Sequence, residues 1–406
     1  MAQHDVTVVG AGPVGVITAL GLARAGVGVT LIERERAIVE SPRAMTYLWF
    51  VLDGLERLGI LQDAERDGLI APEGLNLRIF KTGEQINLNN DVLRSVTPRP
   101  YNVLLGQDKL AAIALRHLQG HQNASVLWNT RVDGLTQDGD GVMLELDAPD
   151  GPRTLRTGWV VGADGASSTV RRAIHGETFD GITWPERFVA TNVRYPFHEY
   201  AYKRANMVID PAHGAIVALI DGRGLWRVTY CEDGNLPEET IPERMPAFFD
   251  VLLPGPKEFE LAAFSPYRMH QRAAPSLREG RVVLAGDAGH ITNPTGGLGL
   301  TCGLLDAYVL HEALTAVVRG EAGDEILDHY SRQRLRVFNE QASPAASHFK
   351  QLVYHTADPE ALEAELEPMR AAAANPELRL QSMLELAKLR TPSLVTGVAG
   401  RRPEST

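Results

Sequence analysis

The sequence predicts an α/β protein that carries a mostly antiparallel β sheet within it and helices at its C-terminal end. Three observations point there. Residues 5–34, "DVTVVGAGPVGVITALGLARAGVGVTLIER", read strand, Gly-rich turn, helix, strand, a βαβ unit of about 30 residues. Two further strand–turn–helix units lie far downstream, "TGWVVGADGASSTVRRAI" and "RVVLAGDAGHITNPTGGLGLTCGLLDAYVLHEALTAVV". Between them, from about Gly181 to Met269, helical periodicity is scarce and strand-like runs predominate. One α/β domain is therefore assembled from separate segments, with a sheet inserted between them.

After the first unit, "SPRAMTYLWFVLDGLERLGIL" has helical periodicity from about Met45 onward. "LNLRIF" and "GEQINLN" alternate as strands do, and "GQDKLAAIALRHLQ" predicts a helix with Asp108 as an early cap residue. "SVLWNTRVDGLTQDGDGVMLELD" predicts strands joined by a Gly/Asp turn. In the inserted region the strands are "FVATNVRY", "ANMVID", "AIVALI", "LWRVTY" and "FELAAFSPYRMH", interrupted by one helix near Pro242 to Leu252. The tail from about Ile326 is helical and charged, and no repeat stands out.

Composition narrows the function. With 44% hydrophobic and 22% charged residues the chain is an ordinary globular protein. A net charge of −11 argues against a nucleic-acid surface and gives no attraction to anionic membranes. Cys231 and Cys302 stand in no CxxC pair or His cluster, so no metal is expected. The start, "MAQHDVTVVGAG", has no signal-peptide pattern, and apolar runs are interrupted well before membrane-span length. A reducing cytoplasm is the simplest compartment.

Three motifs carry chemistry. In Gly10-x-Gly12-x-x-Gly15, directly between strand and helix, Gly10 permits the tight turn and Gly12 lets backbone approach a pyrophosphate. Gly15 lets helix and strand pack closely, and the helix N-terminus, opening at Pro13 and Val14, favours phosphate. Glu33, followed by Arg34, ends the second strand about 23 residues after Gly10, near the spacing at which an acid reaches a ribose hydroxyl. An ordinary Gly-rich turn is the competing reading, and these residues do not separate NAD from FAD. In "VVGADGASSTVRR", Asp164 suits a ribose, a water or the cap of the following helix, and Arg171 and Arg172 suit a solvated face. In "GDAGHITNPTGGLGLTCG", Asp287 accepts from a sugar hydroxyl and Pro294 fixes the backbone. Gly296, Gly297 and Gly299 admit a flat or anionic group, at a helix beginning near Leu298. One cofactor long enough to touch both Gly-rich turns is suggested.

These residues together resemble the class A FAD-dependent aromatic hydroxylases of the p-hydroxybenzoate hydroxylase fold, over roughly residues 5–340. "SPYRMHQRAA…LREGRVVLAGDAGH" looks most like the branch of phenol and hydroxyphenylpropionate hydroxylases and nitrophenol monooxygenases. The resemblance implies a Rossmann-like FAD-binding domain of residues 1–75, 101–180 and 271–340. It implies a substrate-binding sheet domain of 76–100 and 181–270, and a C-terminal helical region of 341–406. Gly10, Gly12 and Gly15 would hold the FAD pyrophosphate, and Glu33 the adenosine ribose. Arg43 and Gln107 would contact the ribityl and pyrophosphate region, and Val132 would sit beside the adenine. Asp164 would lie near both FAD and the nicotinamide cofactor, and Asp287 on the ribityl or pyrophosphate side. The N–H groups of Leu300 and Thr301 would face the flavin's pyrimidine edge, where a helix N-terminus stabilises the reduced anion.

In that family NADH or NADPH reduces the flavin, O2 adds to give a C4a-hydroperoxide, and OH passes to an electron-rich ring. The resemblance also carries a homodimer as a family-level expectation. Only one complete βαβ fingerprint is present, so NAD(P)H has no Rossmann domain of its own. Counting from Arg227, the family's substrate-carboxylate position falls near Asp221, so a phenol, a nitrophenol or a hydroxylated N-heterocycle fits better. The chain is expected to end with the fold, without the thioredoxin-like domain some relatives carry.

Strand alternation sorts the pocket. If Arg227 faces the flavin, so does Thr229, and His213, Ala215, Val217 and Leu219 share the expected facing side of the neighbouring run. Histidine is the residue type suited to proton transfer near neutral pH, so His213 is a candidate to assist phenol deprotonation; a surface His in the turn "DPAHG" is the other reading. Tyr47 is the next polar candidate, or a core position of a helix. Pro294 is expected to set a carbonyl near the substrate side of the flavin, and His270 and His290 to play structural roles. The rival functions are an FAD reductase or halogenase on the same fold, and a non-catalytic flavin-binding protein. None of the tryptophans stands in a WxWxIP motif, which weakens the halogenase reading.

Overall fold

Residues 5–40 and 44–395 are described by the computed structural model. Val6–Val9, Val29–Ile32 and Trp159–Gly162 are buried along their whole length, as continuous apolar runs require when helices cover both sheet faces. They form the middle of a six-stranded sheet in the order Arg278–Glu279, Val282–Leu284, Trp159–Gly162, Val6–Val9, Val29–Ile32, Ala124–Leu127. All neighbours are parallel except the outer pair at Arg278–Glu279. Arg131–Gln137, Val142–Ala148 and Gly151–Thr157 add a three-stranded antiparallel sheet.

The second large sheet has eight strands in the order His290–Ile291, Glu260–Ala273, Asp180–Arg194, Leu225–Asp233, Ala215–Leu219, Ala205–Ile209, Leu75–Ile79, Gln85–Leu88. Its single parallel pair joins Ala205–Ile209 to Leu75–Ile79. Helix Ile241–Leu252 covers one face, packing Met245 and Phe249 on Val217, Trp226, Val228 and Tyr230. Across the other face lie the C-terminal helices Ser343–Tyr354, Pro359–Ala374 and Pro376–Leu386. Lys350 ties the first of these down, its buried Nζ 3.0 Å from Glu186 Oε2 and 2.7 Å from His355 Nε2.

One expectation needs correction. The helix expected from Met45 begins later. Ala44 and Met45 accept from Gln107 and Leu105 N–H, so Thr46–Tyr47 is drawn into a small sheet with Asn102–Leu104 and Leu69–Ala71. The periodicity belongs to the short helices Leu52–Arg57 and Leu61–Asp67, separated at Gly59, whose φ is +72°. Among the described residues one helix, Leu298–Val318, is long and apolar enough to span a membrane by length and composition alone. Yet 78% of its apolar window is buried, because it is the central helix of this fold.

Candidate active site

The first Gly-rich turn is shaped by three different constraints. Gly10 has φ +104°, and a Cβ there would lie 2.4 Å from Ala163 O. A Cβ on Gly15 would lie 1.9 Å from Gly10 O. A Cβ on Gly12 would meet nothing within 4 Å, so no protein atom requires a glycine there. The demand on Gly12 comes from something the turn cradles. Gly12→Ala should therefore leave the thermal midpoint of the flavin-free protein nearly unchanged yet raise the FAD Kd roughly tenfold or more. Gly15→Ala should destabilise the fold itself. Thermal melts with and without FAD separate the two.

Glu33 braces this turn, with Oε2 accepting from Ala11 N–H at 2.6 Å and Oε1 from Glu35 N–H at 3.0 Å. Arg34 is exposed beside Glu35. Arg43 lies outside the described residues. Asp164 accepts from Thr169 N–H at 2.7 Å, from Val170 N–H at 3.2 Å and from Ser168 Oγ, so it caps the helix Thr169–His175. Burial raises its pKa against the lowering by those donors. Arg171 is not a solvated side chain. Buried over the Phe179 ring, it donates to Ala166 O and Ala288 O at 2.8 and 3.0 Å, joining the Asp164 turn to the Asp287 turn.

Behind the Asp287 turn lies a buried charged network. Asp306 accepts from Gly286 N–H at 3.0 Å, meets His290 Nε2 at 2.7 Å and accepts from Arg334 Nε at 2.7 Å. Burial alone would raise its pKa; His290 and Arg334 prevail and hold it below the usual carboxylate value. His290 stacks on Phe338 at a π-helical turn, Phe338–Ala342. The structural role expected of His290 is thus visible, while Asp306 and Arg334 were missed. A lone Asp within "LLDAYVL" is the signal that could have found them.

One cavity of about 1560 Å³ joins the pieces. Gly12, Pro13, Val14, Gln107, Asp287, Pro294, Gly297, Gly299 and Leu300 line it, and Arg227 and Thr229 do so from the large sheet. Gly297, at φ +71°, opens the helix Leu298–Val318, whose first-turn N–H groups have no acceptor within the helix. Thr301 is buried inside that helix, its N–H and Oγ1 both directed to Gly297 O.

Cross-strand register gives the sheet wall two rows. Leu88, Leu75, Ala205, Ala218 and Arg227 form one; Leu77, Met207, Ile216, Thr229, Ala190 and Ser265 form the other. Because Ile216 pairs with Thr229 and Ala218 with Arg227, the cavity face of that strand carries Ile216 and Ala218. The expected facing set is corrected: Ala215 and Val217 pack in the core under helix Ile241–Leu252. His213 goes with them, outside the cavity wall, between the rings of Phe80 and Phe248, with Nδ1 3.4 Å from Asp210. Tyr47 also points away. It is fully buried in the nucleotide-domain core on its strand, while Thr46 and Leu48 line the cavity. Val132 faces the same core, 4% exposed. Asp221 caps a turn by accepting from Arg223 and Leu225 N–H.

Arg227 donates Nε to Asn192 Oδ1 at 3.1 Å. Burial brings its pKa down to about 10, which still leaves a cation at neutral pH, but a poorly hydrated one. The roof carries Phe349, Met369 and Met383 from the C-terminal helices, which sequence reading did not connect with the pocket.

These residues fit FAD. Gly12 and Gly297 leave open space where a cofactor's backbone contacts belong, and the cavity exceeds the roughly 300–1,000 Å³ of a one-ligand site. Comparison agrees. The family model described as FAD binding domain matches residues 3–343. Para-nitrophenol 4-monooxygenase of Pseudomonas sp. (strain WBC-3) is 45% identical over 84% of this chain and 85% of its own. 6-Hydroxy-3-succinoylpyridine 3-monooxygenase HspB of Pseudomonas putida (strain DSM 28022 / S16) is 42% identical over 87% and 90%. The crystal structure of p-nitrophenol 4-monooxygenase PnpA from Pseudomonas putida DLL-E4 superposes with a TM-score of 0.92 at 41% identity, covering 96% of this chain and 99% of that one.

Proposed function

Because the chain belongs to the FAD-binding-domain family and is a flavin-dependent aromatic monooxygenase using NAD(P)H, we propose that its substrate is a phenol or hydroxylated N-heteroaromatic held as an oxyanion at Arg227. The observation that carries this is the cation itself: the half-buried guanidinium of Arg227 beside Thr229, in two wall rows otherwise made of Ala, Ile, Leu, Met and Ser265, with Tyr267, Arg268 and His270 lining the cavity on the strand nearer the Pro294 turn. A cation beside a bound phenol lowers the phenol's pKa, and the ionised oxygen pushes electron density into the ring. Ile216, Met207 and Phe349 line the same cavity, and an apolar lining that excluded water would strengthen that pair.

Bound and reduced by NADH or NADPH, FAD supplies an electrophilic oxygen drawn from O2. Gly12, Pro13 and Val14 would hold its pyrophosphate, Asp287 its ribityl side, and the N-terminus of Leu298–Val318 the negative edge of its ring. Pro294 would line the substrate side. The three-segment FAD domain, the sheet domain and the C-terminal helices expected from sequence serve this division of labour. Where the ring carries a nitro group, as in the relatives' named substrate, hydroxylation at that carbon would release nitrite. The free thiols of Cys231 and Cys302 support a cytoplasmic site. We propose a homodimer, the family-level expectation; light scattering tests it.

The test is direct. The purified protein should be yellow and should oxidise NAD(P)H faster with phenols, nitrophenols or pyridinols, giving a product one oxygen heavier, or nitrite. A colourless protein that takes up no FAD would sink the reading. Asp287→Ala should lower the flavin content after gel filtration; unchanged content would remove Asp287 from the cofactor site.

A further inference from the structure

The cavity floor is much longer than one aromatic ring. It touches all eight strands of the large sheet, from Ile291 at one edge to Leu88 at the other. At about 4.8 Å per strand, seven spacings make roughly 34 Å. Pro294 and Gly297, the flavin-side turn, follow the edge strand that holds Ile291. Arg227 sits on the fourth strand from that edge, so the floor continues past the cation for four more strands, roughly 19 Å. Everything the two rows place there is apolar: Ala218, Ala205, Leu75 and Leu88 in one, Ile216, Met207 and Leu77 in the other. Met369 packs in one cluster with Leu75 and Leu77, and the C-terminal helices also line the cavity with Met383 and the polar Glu365, Ser382 and Lys388.

We propose that this stretch is a substituent subsite: the substrate is an aromatic ring carrying an extended apolar group, an alkyl chain or a further ring. Its acidic oxygen rests at Arg227 and its tail runs along Ala218 and Ala205 towards Leu88. The proposal rests on the oxyanion reading above. Ala218 and Ala205 leave the width for the tail beside the cation, where larger side chains would close the floor after the ring. A nitrophenol alone would leave most of the floor uncovered.

The experiment titrates the FAD-loaded enzyme with 4-methyl-, 4-propyl-, 4-pentyl- and 4-heptylphenol, following the flavin absorbance change. Kd should fall by about fourfold for each methylene that enters the subsite. Ala205→Phe should collapse the ratio of methyl to heptyl Kd. Leu75→Phe, one strand further out, should shorten the chain length at which the gain stops, and serves if Ala205→Phe loses its flavin. A Kd that is flat or rises with chain length, or a ratio that survives both substitutions, overturns the subsite while short phenols still bind. If no phenol of any length perturbs the flavin, the oxyanion reading fails and the subsite falls with it.

Discussion

Arg227→Met should lower kcat/KM for phenolic substrates on the order of 10²–10³-fold while the protein stays yellow. The size follows from what is removed. A buried charged partner that meets an oxyanion is worth about 2–5 kcal/mol when truncated. The flavin turns do not include Arg227, so FAD content should hold and slow NAD(P)H oxidation without hydroxylated product should persist. Met keeps the side chain's bulk in the wall, which separates lost charge from a new cavity. The pH dependence gives a second readout. Burial brings Arg227 down to about 10, so the cation is intact below that pH and is lost as pH rises through it. A nitrophenol, already ionised in that range, should bind wild type less tightly above about pH 10, and Arg227→Met should lack that alkaline limb. Equal kcat/KM in wild type and variant would move substrate recognition elsewhere in the cavity.

Much of this site was legible because its signals are local. Gly10, Gly12 and Gly15 obey contact constraints a few residues away, and a strand–turn–helix unit is read within one window. The placement of Arg227 and Thr229 opposite Trp226, Val228 and Tyr230 followed from alternation along one strand. Alternation fixes parity within a strand but not register between strands, and there the reading of His213 failed. A one-residue slip moves every side chain to the other face, and only the pairing of Ile216 with Thr229 settles it. The C-terminal helices were opaque for another reason. Met369 and Met383 stand in sequences rich in Glu and Ala that read as solvated helices, and what they cover is decided by residues some 150 positions or more earlier. Arg171 was misread alike, since an Arg at a helix start looks solvated until the carbonyls of Ala166 and Ala288 are seen to converge on it.

Asp306→Ala should be the most damaging substitution away from the cavity wall. It leaves Arg334 buried and without its carboxylate, a loss of about 3–5 kcal/mol. For a chain of this size that is a fall in Tm of roughly 4–6 °C. The same carboxylate accepts from Gly286 N–H, so the turn that carries Asp287 loses its inner anchor and FAD retention should fall with stability. Asp306→Asn keeps an acceptor and the shape and should cost less. Acid titration shows whether the charge is responsible. The folded pKa of Asp306 lies below its unfolded value, so its contribution is complete above the ordinary carboxylate pKa of about 4 and declines as pH falls below it. Wild type should therefore exceed Asp306→Asn in Tm by a constant margin near neutrality, and the margin should shrink below about pH 4. A margin independent of pH would mean that Asp306 acts by packing and hydrogen bonding alone. A flavin turn indifferent to both substitutions would detach the network from cofactor binding.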